Sequence, residues 1–248
     1  MRSTPGIFDH LLFAILLLLP LLEWRWSWPR YLRRLAAGEV GERLRYLRSL
    51  IAGEWALTLG LLAIWTVCKR PWANLWLGSP NPARLGIGFG YVLLLVGVLV
   101  WQRSAILMRP GVMVRVRARL KYAEALLPHT ATERKTFWLV SLTAGVCEET
   151  LYRGFMTWYL AVWMGLIPAF VVSSILFGAA HIYMGIAQVP KTALVGLIFA
   201  GVVFYSGSLW PATLLHAAID WNSGELGFGI LSTPPVQDAA DSLPLPPV

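Results

Sequence analysis

Three short stretches in the second half of the sequence put ionisable side chains into runs otherwise fit for lipid. They are Glu148-Glu149 with Arg153 in "GVCEETLYRGFM", His181 closing "FGAAH", and His216 with Asp220 in "HAAID". Lys191 with Gln188, at the start of an apolar run, is a fourth and weaker candidate. Charge at membrane depth is costly enough that a functional role is the default reading. Glu149 and Arg153 stand four apart and can pair on one face of a helix, which keeps Glu149 ionised. Glu148 then points about 100° away around the axis and is left as the free carboxylate. His216 and Asp220 share a helix face in the same way. A carboxylate and two imidazoles meeting around a wet pocket are the parts of a hydrolase. Glu148 would take a proton from water, one histidine would hold that water, and the other would hydrogen-bond the developing oxyanion.

Each residue also has a plainer reading. Glu149 with Arg153 is, alone, more often a structural ion pair than a catalytic one. His181 reads alone as a satisfied histidine at a helix end, and His216 with Asp220 as an i,i+4 contact closing a helix packing. Their joint occurrence on three apolar segments outweighs these readings. Cys147, beside Glu148, has the chemistry of a nucleophile, but a buried cysteine filling space is the better expectation. Tyr152 and Phe177 could line a pocket, with core packing the simpler role. Gly145, Gly154, Gly178, Gly185, Gly196 and Gly201 read as close helix-packing positions.

The elements that must position these residues are membrane helices. Of 248 residues, 57% are hydrophobic and 14% charged, with a mean hydropathy of +0.61, which is a polytopic membrane composition. The net charge of +8 is not a nucleic-acid footprint, because the basic residues gather in two blocks between apolar runs. Blocks of that kind mark cytoplasmic loops. Trp24, Trp26 and Trp28 follow the first apolar run as an interfacial belt would. Cys68 and Cys147 lie on separate spans and suggest no disulfide framework.

Apolar runs of about 20 residues are read at about 7–28, 50–68, 85–108, 136–159, 161–181, 189–206 and 209–222, with an extension of the last to 231 left open. "LLFAILLLLPLL" has the length of a signal-peptide core, but "EWRWSW" follows in place of a cleavage site, so it is read as an uncleaved span. The stretch "RYLRRLAAGEVGERLRYLRSL" is expected along the cytoplasmic interface. Residues 109–135 form the second basic block; Arg115, Arg117 and Arg119 alternate with apolar residues, and a surface helix is expected there rather than a strand. Two spans separate the blocks, so both fall in the cytoplasm and the N-terminus outside. The expectation is an all-α polytopic transmembrane bundle of about seven to eight membrane helices, plus amphipathic interfacial helices. Residues 1–135 form its N-terminal membrane part with the two basic segments, 136–231 the catalytic core, and 232–248 a proline-rich, acidic, disordered tail.

In order along successive spans, "EETLYR" fits EExxxR, "FGAAH" fits FxxxH and "HAAID" fits HxxxN/D. Together they resemble the CPBP family of intramembrane proteases, which includes the CAAX prenyl endopeptidases of the Rce1 type. The resemblance covers about residues 136–222. It implies a helical bundle with a conical cavity open to membrane and water. It also implies that Glu148 activates water with His181, that His216 and Asp220 stabilise the oxyanion, and that Glu149 and Arg153 support them. One departure is Asp220, where the prenyl endopeptidases typically carry Asn. An ionised carboxylate cannot donate to an oxyanion, so Asp220 must be protonated, act through His216, or play another part.

The function expected is therefore a glutamate-dependent intramembrane endopeptidase. It would act on a membrane-anchored or lipidated protein in the bacterial inner membrane, with no cofactor and no nucleic-acid partner. The rival within the class is a zinc enzyme ligated by Glu148, His181 and His216; HExxH, the usual helical zinc-protease motif, is absent. Outside it stand a non-catalytic immunity or scaffold protein and a small transporter with a proton relay.

Overall fold

The computed structural model describes residues 4–120 and 123–232, and among these every regular element is a helix, with no strand. Helix α1 (Ile7–Leu22) runs through a π-helical segment, Glu23–Ser27, into α2 (Trp28–Ala36). Helices α3 (Glu42–Val67), α4 (Pro82–Leu107) and α5 (Pro110–Leu120) follow. Helix α6 (Ala131–Glu148) continues through a second π-helical segment, Glu149–Met156, into α7 (Thr157–Met164). Helices α8 (Leu166–Ala180), α9 (Val189–Ser206) and α10 (Leu209–Leu231) complete the fold.

Local sequence sets these limits. The Asn81 side chain accepts the N–H groups of Ala83 and Arg84 at the start of α4. Thr130 and Glu133 form a reciprocal capping box on α6, which satisfies two N–H groups that helix geometry leaves unpaired. Gly207, at φ 71°, takes the left-handed turn that ends α9, and Ser208 then caps α10. Pro20 stays inside α1; the widened turn three residues later is a known way for a helix to absorb a local disruption.

Polar ties define two ends of the bundle. At one, Tyr31 donates to the Ala125 carbonyl at 2.5 Å, Arg43 meets Glu133 at 3.3 Å and Arg134 holds Glu225. At the other, Arg70 grips Asp9 through two 2.6 Å bonds, and the Leu209 N–H bonds the Trp76 carbonyl at 3.1 Å. Both basic segments lie at the first end.

Among the described residues, four helical stretches are long and apolar enough to cross a membrane: Ile7–Ala36, Glu42–Val67, Pro82–Leu107 and Ile186–Ser206. Helix α8 is apolar but shorter. The helices that carry Glu148, Glu149, Arg153, His216 and Asp220 are not among the four, because their polar side chains lower the mean hydropathy. Exposed Leu93, Leu94 and Trp101 on α4 give it a lipid-compatible face. The core gathers Leu61, Trp65, Phe155, Phe177, Phe199, Leu209 and Leu215, all but sealed from solvent.

Several expectations need adjusting. The basic stretch after α1 spans most of α2, a turn, and the first turns of α3, with Tyr31, Tyr46 and Leu47 packed inward and Leu32 exposed. Residues 110–120 are helical, and α6 begins at Ala131, ahead of the apolar run, where Thr130 caps it. The last segment is one helix to Leu231. Apart from Ser232, the expected tail lies outside the described residues. Three of the six glycines do pack closely: a Cβ on Gly145 would sit 2.7 Å from the Thr213 carbonyl, on Gly178 2.6 Å from the Val189 carbonyl, and on Gly196 2.8 Å from Arg153 Nη2. Gly154 has ordinary room, Gly201 faces open space, and Gly185 serves a turn at φ 109° instead.

Candidate active site

The two adjacent glutamates divide their work as helix geometry requires. Glu149 is fully buried and its Oε1 accepts Arg153 Nη1 at 2.9 Å. The same oxygen faces His216 Nδ1 from α10 at 2.9 Å. A ring nitrogen facing a carboxylate carries its proton, which leaves Nε2 as the working edge of His216. That Nε2 lies 3.8 Å from Glu148 Oε2 and 3.6 Å from Asp220 Oδ2. Both distances exceed a direct hydrogen bond and suit a bridging water. His216 is held sideways as well: its ring stacks on Phe199 with centroids 4.9 Å apart and meets the edge of Phe177 at 5.8 Å.

Arg153 completes this support. Its guanidinium lies over Phe177 at 4.1 Å and Phe199 at 5.2 Å, so aromatic faces cover the part of the cation that Glu149 does not reach. Gly196 is what lets α9 approach it. The widened backbone belongs to the same construction. Tyr152, inside the π-helical segment, offers its carbonyl to Ser173 Oγ of α8 at 2.7 Å and to Thr157 Oγ1 at 3.1 Å. π-Helical turns are rare and concentrate at functional sites.

Glu148, Tyr152, His181 and Asp220 line one cavity of about 820 Å³. Glu23, Glu42, Arg30, Arg34 and Arg45, at the basic end of the bundle, line the same cavity. His216 lies behind this wall, 4% exposed. His181 spends its Nδ1 on the Phe177 carbonyl at 2.8 Å, and hydrogen-bonds neither Glu148 nor His216. It joins them through Phe177, whose ring is 4.8 Å from its own. The structure therefore links Glu149, Arg153 and His216 directly, brings Glu148 and Asp220 within 3.8 and 3.6 Å of His216, and sets His181 on the same cavity wall as those two carboxyl groups. Phe177 is a core residue between the imidazoles, Cys147 is buried, and Lys191 is exposed away from the cluster.

One residue escapes a reading from motifs. Glu54, on α3, lines the cavity with Glu148 and Asp220. It carried the same signal as the others, a lone charge inside "SLIAGEWALTLG", but its nearness to Arg48 makes it read as interfacial.

Among the described residues no three or more His, Cys, Asp or Glu side chains gather as a metal site. No step below is routed through a metal.

No curated protein and no solved structure matches the chain. Residues 131–222 do match a family model described as type II CAAX prenyl endopeptidase Rce1-like. The matched stretch runs from the start of α6 to two residues past Asp220 within α10, holds every residue of the cluster but Glu54, and is similar to the family to which EExxxR, FxxxH and HxxxD pointed.

Proposed function

We propose that the chain is a CAAX-protease-like intramembrane endopeptidase that hydrolyses a membrane-anchored or lipidated protein with water activated on Glu148. The observation that carries this reading is the setting of His216: Glu149 fixes its Nδ1, and its Nε2 is turned to within a water's width of both Glu148 and Asp220. A structural ion pair alone would not need an imidazole aimed at a cavity wall.

The chemistry runs through these residues without a cofactor. Water held among Glu148, His181 and His216 gives a proton to Glu148 while its oxygen attacks the scissile carbonyl carbon. The π-electron pair of the carbonyl moves onto oxygen, and the oxyanion forms in the cavity that Glu148, His181 and Asp220 line. When the carbonyl re-forms, the C–N bond breaks and the amine leaves with the proton from Glu148. Proton transfer of this kind contributes roughly 10²–10⁴-fold.

The basic end is assigned to the cytoplasm by the excess of arginine there, in a bacterial inner membrane. Arginines of that end line the cavity, so the scissile bond is reached from the cytoplasmic half of the bilayer, and sorting or processing of a membrane protein fits this better than a soluble substrate. Terminus profiling of membranes from cells carrying the wild type or Glu148→Gln tests the reading. The wild type is expected to yield a processed protein terminus that Glu148→Gln lacks while remaining folded. Identical terminus profiles, or altered ion flux with no peptide product, would remove it.

A further inference from the structure

We infer that Glu54 on α3 is a further catalytic residue, a neutral carboxyl group that donates a hydrogen bond to the oxyanion formed on the scissile carbonyl. The inference rests on the Glu148-centred hydrolysis proposed above and supplies the donor it lacks. Glu54 shares the cavity wall with Glu148, His181 and Asp220. The charged groups that act on it are Glu148 from α6 and Asp220 from α10, both of its own sign. The other titratable neighbours are Cys147, Tyr152 of the π-helical segment and Tyr183 of the turn after α8, none of them cationic. Arg153 is committed to Glu149. His216 lies beside Glu148 and Asp220 at 3.8 and 3.6 Å, so whatever positive charge it carries serves those two.

Glu54 Oε2 and Glu148 Oε2 are both closed off from solvent without a hydrogen-bond partner, but Glu148 Oε2 has His216 Nε2 at 3.8 Å, whereas the charged groups acting on Glu54 are carboxyl groups only. An ionised oxygen in that position would be both unsolvated and unpaired, which proteins avoid. Three carboxyl groups around one cavity cannot all ionise, and the proton settles on the group with no cation beside it. Glu148 must be ionised to act as base and Asp220 has the imidazole, so the proton rests on Glu54. A carboxylic acid has an O–H to donate, whereas the carboxylate of Asp220 has none. In the attack step the Glu54 O–H donates to the new oxyanion and keeps its proton. The proton taken from water travels only through Glu148 to the leaving amine, so the step balances without a further reactant.

Two experiments on the full-length chain decide it. The rate at which the processed terminus appears in membranes is compared among wild type, Glu54→Gln, Glu54→Ala and Glu148→Gln. Loss of one oxyanion donor costs roughly 10²–10³-fold, so Glu54→Ala is expected to fall by that factor. Glu54→Gln, whose amide still donates, keeps most of the rate. Infrared spectra of the purified protein in H₂O and D₂O should show a protonated-carboxyl stretch that Glu54→Gln removes and Asp220→Asn leaves. Glutamine failing as badly as alanine, alanine working at the wild-type rate, or a band that follows Asp220 overturns the inference. Full processing by Glu148→Gln would instead overturn the hydrolytic reading, and the infrared band is read independently of it.

Discussion

Replacing Glu149 by leucine should cost the protein both stability and turnover, and the two losses can be separated. Glu149 and Arg153 are 0% and 1% exposed, and two further guanidinium nitrogens, Nε and Nη2, already lack partners. Glu149→Leu leaves that cation buried with only aromatic faces around it. Removing one member of a buried pair costs about 3–5 kcal/mol, which for a chain of this length lowers the melting temperature by roughly 6–20 °C. Removing the cation too, in Glu149→Leu/Arg153→Met, should return most of that stability, since methionine packs well on aromatic rings. It cannot return His216 to its working tautomer, because Nδ1 no longer meets a carboxylate. Melting in detergent and processing of the same protein in membranes are read side by side. The double variant should melt near the wild type and remain inactive. Recovery of both properties would show that Glu149 serves packing only, and an unshifted single variant would refute the buried pair itself.

The helix contacts and the cap yield further expectations. Gly145→Leu would drive a side chain into the Thr213 carbonyl and the Ala217 backbone, within 2.7–2.9 Å, and should abolish folding of the α6–α10 pair, whereas Gly201→Ala meets nothing within 4 Å and should melt as the wild type does. Glu133 sits at the α6 cap, ahead of the apolar run. Burial opposes its ionisation but is outweighed by the His129 and Thr130 N–H groups and Arg43, which hold its carboxyl below the usual range. A depressed folded-state value means stabilisation that is full above the unfolded-state value, near 4.3, and fades as pH falls through the folded one. Glu133→Gln should therefore melt lower at neutral pH, and the gap should close in acid.

What could be read from residue order alone was the local part. An i,i+4 pair such as Glu149–Arg153 or His216–Asp220 follows from helical repeat, so the pairs and the free Glu148 were legible. The bond from Glu149 to His216 spans 67 residues and depends on how α10 lies against α6, which no spacing encodes. The π-helical turn was equally hidden, since the carbonyl it exposes is satisfied by Ser173 from another helix. Glu54 was obscured by position, because a glutamate just past an arginine block resembles an interfacial residue. The glycines show the same limit: Gly178 and Gly201 are alike in an apolar run, and only the neighbour across the interface makes one indispensable.

The central claim is that Glu148 does the proton work and no metal is needed. The direct measurement is turnover of the identified substrate by purified wild type and Glu148→Gln in liposomes, each with and without a strong chelator. Wild-type turnover unaffected by chelator, with a loss of at least roughly 10²-fold in Glu148→Gln, is the result the account predicts. Turnover that chelator abolishes and zinc restores, or a Glu148→Gln protein that keeps its rate, would contradict it.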